Sequence, residues 1–495
     1  MIRFSTNNEL ILKLYLCQLA SLCKSKLTVY AKQTDMKHYD AIIIGAGQAG
    51  VPLAKKMAEA GKKTAIIEKR EVGGTCINDG CTPTKAMVAS AKAAYQARKA
   101  SELGIIINEV KVDLKKVKKR ADGIVKMFRE GAEEGIKETK GLKLYLGEAS
   151  FSGEKEIVVK GKDGTTETLT ADLIFINTGA KTIIPEIEGI EEIDYLTSTS
   201  ILDLEEVPEH LVIIGGNYIG LEFGQMFSRF GSQVTILEQS PVILSREDDD
   251  ISAAVTEILK AEKIDVLTDV KIGHIGWKGD QIETTITSGK KDKKITSSHL
   301  LVAVGRAPQT RHLNLENCGV ETDEHGHIMV NNQLETNVKG IYALGDVKGG
   351  PAFTHIAYND YTIVYRNLIE NAHLSTADRP VPYCMFTDPQ LARIGLSEKE
   401  AKAQKLDYQV AVLPMKNVAR GIETNETSGL MKAVVDAKTN QILGAAILAS
   451  EGGEIMSVLQ MAMEGGITSE QIRYGVFAHP TYTESLNNLF MKMHA

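Results

Sequence analysis

Hydrophobic positions along this chain gather into short apolar runs between turn residues, and two of those runs open the same device. Ala41–Ile44 is an apolar run suited to a parallel strand buried on both faces. Gly45-Ala46-Gly47-Gln48-Ala49-Gly50 follows, then a helical stretch to Ala60 and a second strand-like run ending at Glu68. Leu211–Ile214 repeats the pattern, with Gly215-Gly216-Asn217-Tyr218-Ile219-Gly220, a helical stretch to Phe230 and a strand ending at Glu238. The acidic residue follows the first glycine by 23 positions in both copies, Gly45 to Glu68 and Gly215 to Glu238. Asp172–Asn177, running into Thr178-Gly179, and Gly340–Leu344, running into Gly345-Asp346, read as strands that complete the first unit. The second unit is therefore inserted into the first.

From about Val381 the pattern changes. Ser397 and Glu400 form a capping box that opens a helix, and Gln409–Leu413, Leu430–Val435 and Gln441–Leu448 read as antiparallel strands. The expected fold is α/β: two Rossmann-like dinucleotide-binding domains, one inserted in the other, plus a C-terminal α+β domain. Residues 36–190 with 306–378 would form the first, 191–305 the second and 379–495 the third. Residues 1–35 read as an upstream extension or a mis-set start, because Met36-Lys37-His38-Tyr39-Asp40 leads directly into the first strand and no well-formed signal peptide precedes it.

Composition narrows the partners. A formal net charge of −7 offers no general reason to bind nucleic acid or anionic lipid, and the basic run Lys111–Arg120 reads as the solvated face of a helix. No apolar run is long enough to span a membrane. Six cysteines in 495 residues do not make a disulfide framework, which favours a reducing, cytoplasmic setting. Cys318 and Cys384 stand alone and read as small buried hydrophobes.

A glycine turn between strand and helix lets the backbone approach a pyrophosphate at the positive end of the helix dipole, while the acidic residue at the next strand end accepts from ribose hydroxyls. Two such units imply two nucleotides. Glu238 favours a free ribose 2′-hydroxyl and repels a 2′-phosphate, so NADH is expected over NADPH. In this copy Asn217 replaces the middle glycine, where a side chain either crowds the pyrophosphate or donates to it.

Directly after Glu68 comes Gly73-Gly74-Thr75-Cys76-Ile77-Asn78-Asp79-Gly80-Cys81-Thr82-Pro83-Thr84-Lys85. Two cysteines five positions apart at a helix start can close a bridge, and the helix dipole favours their thiolates once reduced. No second cysteine pair or histidine cluster completes a zinc site, and no metal centre is expected. Near the C-terminus, His479 in His479-Pro480-Thr481-Tyr482-Thr483-Glu484 is suited to move protons during thiol–disulfide exchange, with Glu484 orienting its ring.

At these residues the chain resembles the class I pyridine nucleotide–disulfide oxidoreductases: glutathione reductase, dihydrolipoyl dehydrogenase and mercuric reductase. The resemblance runs from Lys37 to Phe490 and is greatest to bacterial mercuric-reductase-like flavoproteins in Gly80–Ala89, Phe353–Asp360 and His479–Phe490. It implies FAD held by Gly45, Gly47, Gly50, Glu68, Lys69, Gly74, Thr75, Lys85, Thr178, Gly179, Gly345 and Asp346. It implies NADH at Gly215, Asn217, Tyr218, Gly220, Glu222, Glu238 and Gly305, with Tyr218 as the lid over the nicotinamide. Cys76 would be the thiol that meets the substrate, Cys81 the thiol against the flavin, and Lys85 with Glu222 an ion pair beside it. His479 and Glu484 would act on the neighbouring subunit of a homodimer.

The activity so implied is electron transfer from NAD(P)H through FAD to Cys76–Cys81 and on to a small disulfide, metal ion or other oxidant. True mercuric reductases carry a C-terminal cysteine pair and lack the His-Glu base, whereas this chain ends Met491-Lys492-Met493-His494-Ala495. Two alternatives stay open: dihydrolipoyl dehydrogenase, running electrons from dithiol to NAD, and a non-enzymatic flavin–thiol redox sensor.

Overall fold

A computed structural model describes residues 36–289, 291–377 and 379–494. The expected extension at 1–35, with Cys17 and Cys23, lies outside them. The first apolar run becomes β1 (Lys37–Ile44), followed by the helix Gly50–Glu59 and β2 (Thr64–Glu68). β1 is flanked by two parallel partners, β2 on one side and β5 (Thr166–Ile176) on the other, and β15 (Ile341–Ala343) adds parallel to β5. This reversal of strand order at β1 opens a crevice at the carboxyl ends of β1 and β5, the usual ligand position in an open α/β sheet.

The pattern did not reveal an antiparallel excursion within this sheet. β3 (Leu142–Gly153) pairs parallel with β2 along its first half, then bends away to pair antiparallel with β4 (Glu156–Gly161), which returns to β5.

The repeat forms a second sheet from β7 (His210–Ile214), β8 (Gln233–Leu237), β9 (Asp265–Leu267) and β13 (His299–Val302), in the parallel order β13-β7-β8-β9. An antiparallel meander of β10 (Val270–Lys278), β11 (Gln281–Ser288) and β12 (Lys291–Ser297) interrupts it. The outgoing and returning chains pair antiparallel as β6 (Ala180–Thr182) and β14 (Arg306–Pro308). The second sheet thus hangs from the first by two strands lying side by side.

The third sheet is antiparallel, ordered β16 (Tyr383–Met385), β17 (Gln390–Gly395), β20 (Ile442–Ala449), β19 (Leu430–Asp436) and β18 (Tyr408–Pro414). Its core includes Ile394, Ile447 and Leu459. The capping box forms as expected, with Ser397 and Glu400 each accepting from the other's backbone N–H. Among the described residues no helix is long and apolar enough to cross a membrane.

A buried charge junction ties the three units together. Arg229, on the helix Tyr218–Phe230, pairs with Glu262 at 2.7 Å and with Asp388 at 2.7 Å, and its guanidinium lies 3.8 Å from the centroid of Tyr95. Lys92, on the same helix as Tyr95, meets Asp388 at 3.2 Å. Removing one member would strand its buried partners, at a typical cost of about 3–5 kcal/mol.

Candidate functional site

Both glycine turns are dictated by backbone crowding. Gly45 has φ +105°, and a Cβ there would lie 2.3 Å from the Asn177 carbonyl oxygen on the next strand. Gly215 has φ +115°, and its Cβ would lie 2.4 Å from the Ala303 carbonyl oxygen. The acidic residues brace these turns identically. Glu68 accepts from Ala46 N at 2.9 Å and Arg70 N at 2.8 Å; Glu238 accepts from Gly216 N and Ser240 N, both at 2.7 Å. The equal spacing in sequence is therefore an equal geometry in space.

A cleft of about 1520 Å³ runs from the first turn past the cysteines. Its walls include Gly45, Gly47, Glu68, Lys69, Gly74, Thr75, Thr178, Gly179, Gly345 and Asp346. Gly50 packs behind this wall, where a Cβ would lie 2.0 Å from the Gly45 carbonyl oxygen. Asp360, fully buried, accepts from Gly345 N at 2.8 Å and is neutralised by Arg379 and Lys348, which fixes the turn that carries Asp346. Burial raises the Asp346 carboxyl above its ordinary value against the pull of Arg306 and Lys348, so it gains from a hydroxyl donor. A bare glycine cradle at a helix N-terminus, a ribose-accepting carboxylate and a cleft larger than a small ligand needs fit FAD.

The cysteines lie on two helices rather than at the start of one. Cys76 is within the short helix Gly74–Asn78, and Cys81 begins the helix Cys81–Lys99. Gly80 separates them because a Cβ there would come within 2.7 Å of the Thr75 carbonyl oxygen. Asn78 pins the loop by donating to the Val72 and Gly74 carbonyls at 3.0 and 2.9 Å, and accepts from Arg129 Nε at 2.7 Å. Both cysteines are free thiols, and Thr354 lies 3.7 Å from Cys81 Sγ.

Their environments differ. A hydrogen bond from Cys76, together with the Lys85 charge, brings Cys81 down to about 6 against the opposing effect of burial. The same hydrogen bond and burial push Cys76 well up. These directions favour the thiolate on Cys81 and the proton on Cys76. Lys85 pairs with Glu222 at 2.7 Å, and Glu222 also accepts from Phe386 N at 2.7 Å. Burial works against the Lys85 ammonium, but Glu222 outweighs it and holds Lys85 above its ordinary value.

The second turn lies at the carboxyl ends of β7 and β13, outside the cleft wall. Tyr218 and Glu222 line the cleft; Gly215, Asn217, Gly220, Glu238 and Gly305 do not. Asn217 has an extended backbone that needs no glycine, and its side-chain oxygen accepts from Tyr218 N at 2.9 Å, capping the helix. Gly305 has φ +146° where the chain leaves β13.

His479 Nδ1 lies 2.9 Å from Glu484, and the ring is exposed. It does not line the cleft of its own chain. Cys384 corrects the sequence reading: it is half-buried in the cleft wall near Gln390, with Lys85 and Glu222 acting on its thiol, which burial raises to about 12. Position alone hid this, because nothing in the sequence links Cys384 to the Cys76–Lys85 motif.

A family model described as pyridine nucleotide-disulphide oxidoreductase matches residues 39–360, and one for the dimerisation domain of such proteins matches residues 381–490. The probable pyridine nucleotide-disulfide oxidoreductase RclA of Escherichia coli (strain K12) is 37% identical over 92% of this chain and 99% of its own. A mercuric reductase of Staphylococcus aureus is 36% identical over 90% of this chain and 81% of its own. A dihydrolipoyl dehydrogenase of Thermus scotoductus is 35% identical over 93% and 98%, respectively. Among solved structures, the Cu(II) complex of the HOCl-induced flavoprotein disulfide reductase RclA from Escherichia coli has a TM-score of 0.85 at 36% identity, covering 92% of this chain and 99% of that one.

Proposed function

This chain belongs to the pyridine nucleotide-disulphide oxidoreductase family, and from that premise we propose that it is an NADH-dependent reductase that passes electrons to a small disulfide, a metal ion or another small oxidant through Cys76 and Cys81. The observation that carries the proposal is the placement of Cys76 and Cys81 in the wall of the dinucleotide cleft, with Lys85 of the Lys85–Glu222 ion pair on the helix that Cys81 begins, an arrangement that favours the Cys81 thiolate. FAD, when bound, supplies a two-electron carrier between nicotinamide and the cysteines. The chain's own residues do the rest. Gly45 and Gly47 admit the pyrophosphate, Glu68 and Asp346 accept from hydroxyls, and Lys85 keeps Cys81 ionised. Cys76, protonated and half-buried, is the thiol that meets the acceptor. His479, oriented by Glu484, takes up and returns its proton in the neighbouring subunit of a homodimer.

That His-Glu geometry favours a disulfide or dithiol substrate, and a relative whose structure is a Cu(II) complex adds cupric ion to the acceptor classes worth testing. NADH consumption by the purified protein with lipoamide, glutathione disulfide, quinones, mercuric ion and cupric ion separates them. No turnover with any acceptor would instead favour a redox sensor.

Three expected results test parts of this reading. The protein should purify yellow with about one FAD per chain; a folded preparation that cannot be reconstituted with FAD contradicts it. The wild-type enzyme should show higher kcat/KM for NADH than for NADPH, and Glu238→Arg should shift the preference toward NADPH by removing the charge that repels a 2′-phosphate. In the reduced protein the Cys81 thiolate should form as pH rises through about 6. Alkylation of Cys81 by iodoacetamide should rise over the same range, and Lys85→Met should move that midpoint upward, because the ammonium favours the thiolate. A midpoint unchanged by Lys85→Met would remove Lys85 from the account.

A further inference from the structure

Tyr218 is the residue read above as the lid of the nicotinamide pocket, and the structure shows what its ring rests on. Tyr383, from the C-terminal domain, lies against it with ring centroids 5.5 Å apart and planes at 42°. Tyr383 also stacks on Phe353, with centroids 5.6 Å apart and planes at 11°. Phe353 stacks in turn on His355, whose ring nitrogen lies 2.7 Å from the Pro382 carbonyl oxygen. The row of rings is closed at one end by the chain that carries Tyr383.

The far edge of Tyr383 is held by charge. Its hydroxyl donates to Glu247 at 2.5 Å, and Glu247 is fully buried. Glu247 also accepts from Arg393 Nε at 2.8 Å, and its backbone carbonyl accepts from Lys399 Nζ at 2.7 Å. Burial, then Glu247, raises the Tyr383 phenol far above its ordinary value, so the hydroxyl keeps its proton and acts as a donor throughout the working range. The bond is part-buried, and its Glu247 side is closed to water. Tyr383 therefore has little freedom, and it lies against Tyr218, which is half-buried at the first position of its helix.

We propose that Tyr383 is a positioning residue for the nicotinamide site: anchored by Glu247 and backed by Phe353, it holds Tyr218 in the closed position that an incoming nicotinamide must displace. The inference rests on the reading of Tyr218 as the lid. It places the resistance of the lid in a domain other than the one that binds the dinucleotide.

Rapid mixing of FAD-loaded enzyme with NADH gives both the apparent Kd and the limiting rate of flavin reduction. Tyr383→Phe removes the hydroxyl and keeps the ring, so it should lower the apparent Kd for NADH about threefold to tenfold, with a smaller change in the limiting rate. In a Tyr218→Ala background the same substitution should change nothing further, because its route of action is gone. An unaltered Kd in Tyr383→Phe, or an effect that persists in the Tyr218→Ala background, would overturn the proposal. Loss of FAD or of thermal stability in Tyr383→Phe would also overturn it, by showing a structural role. If Tyr218→Ala itself leaves NADH binding unaltered, the lid reading fails first and takes the proposal with it.

Discussion

Replacing Cys76 with serine is expected to reduce turnover with disulfide acceptors to background while leaving hydride transfer from NADH to bound FAD largely intact. The reason lies in the separation of duties along the cleft. In the proposed arrangement Tyr218 covers the nicotinamide and the second glycine turn takes the pyrophosphate of NADH, whereas Cys76 sits on the Gly74–Asn78 helix and takes no part in that turn. Serine preserves the size of the side chain and removes the sulfur that must form a mixed disulfide with the acceptor. Cys81→Ser should also stop disulfide turnover, and it should in addition abolish the long-wavelength absorption of the two-electron-reduced enzyme, because Cys81 is the thiol of the pair whose ionisation is favoured. Stopped-flow traces of flavin reduction, alongside steady-state turnover, separate the two variants. Wild-type disulfide turnover in both would mean that the pair is not the relay.

His479→Ala should slow the thiol half-reaction by roughly 10²–10⁴-fold, the usual worth of a general acid–base group, and leave flavin reduction by NADH nearly unchanged. Glu484→Gln should cost less, since the imidazole remains but loses the carboxylate that orients it at 2.9 Å. His479 lies outside the cleft of its own chain, so its target is expected in a second copy. Mixing Cys76→Ser chains with His479→Ala chains tests this directly. Each heterodimer would hold one site with both groups intact, and a random mixture should recover about one quarter of wild-type activity. Verified heterodimers without recovery would show that His479 does not serve the other chain, and equal slowing of both half-reactions would point to structural damage.

Much of this architecture is legible in the residues themselves because the relevant constraints are local. Gly45 and Gly215 carry positive φ under a neighbouring carbonyl, and Glu68 and Glu238 stand at the ends of strands one helix later. A short strand, a turn without Cβ atoms and a helix of fixed rise leave little room for another arrangement, so spacing alone identifies both turns. The Cys76–Cys81 motif is legible for the same reason. Likewise, the capping box at Ser397 depends only on residues three apart.

Other features were decided only when distant segments packed. Lys85 and Glu222, linked in the sequence only through the family resemblance, are 137 positions apart, and their 2.7 Å contact exists because the helix Cys81–Lys99 packs against the helix Tyr218–Phe230. The antiparallel excursion of β3 and β4 and the meander of β10 to β12 do carry turn glycines, Gly164, Gly279 and Gly289, all at positive φ, but a turn glycine marks only where a strand reverses, and which sheet it joins is set by the faces that it buries. Cys384 looked solitary because a cysteine's neighbours in a cleft come from elements remote in sequence. Tyr383 and Glu247, 136 positions apart, carry no motif at all; a part-buried hydrogen bond brings them together across two domains. Sequence determines what each short segment can do alone, because backbone sterics and side-chain chemistry act over a few residues. Tertiary structure decides which of those segments share a site, because burial and charge pairing are settled only when the whole chain has packed.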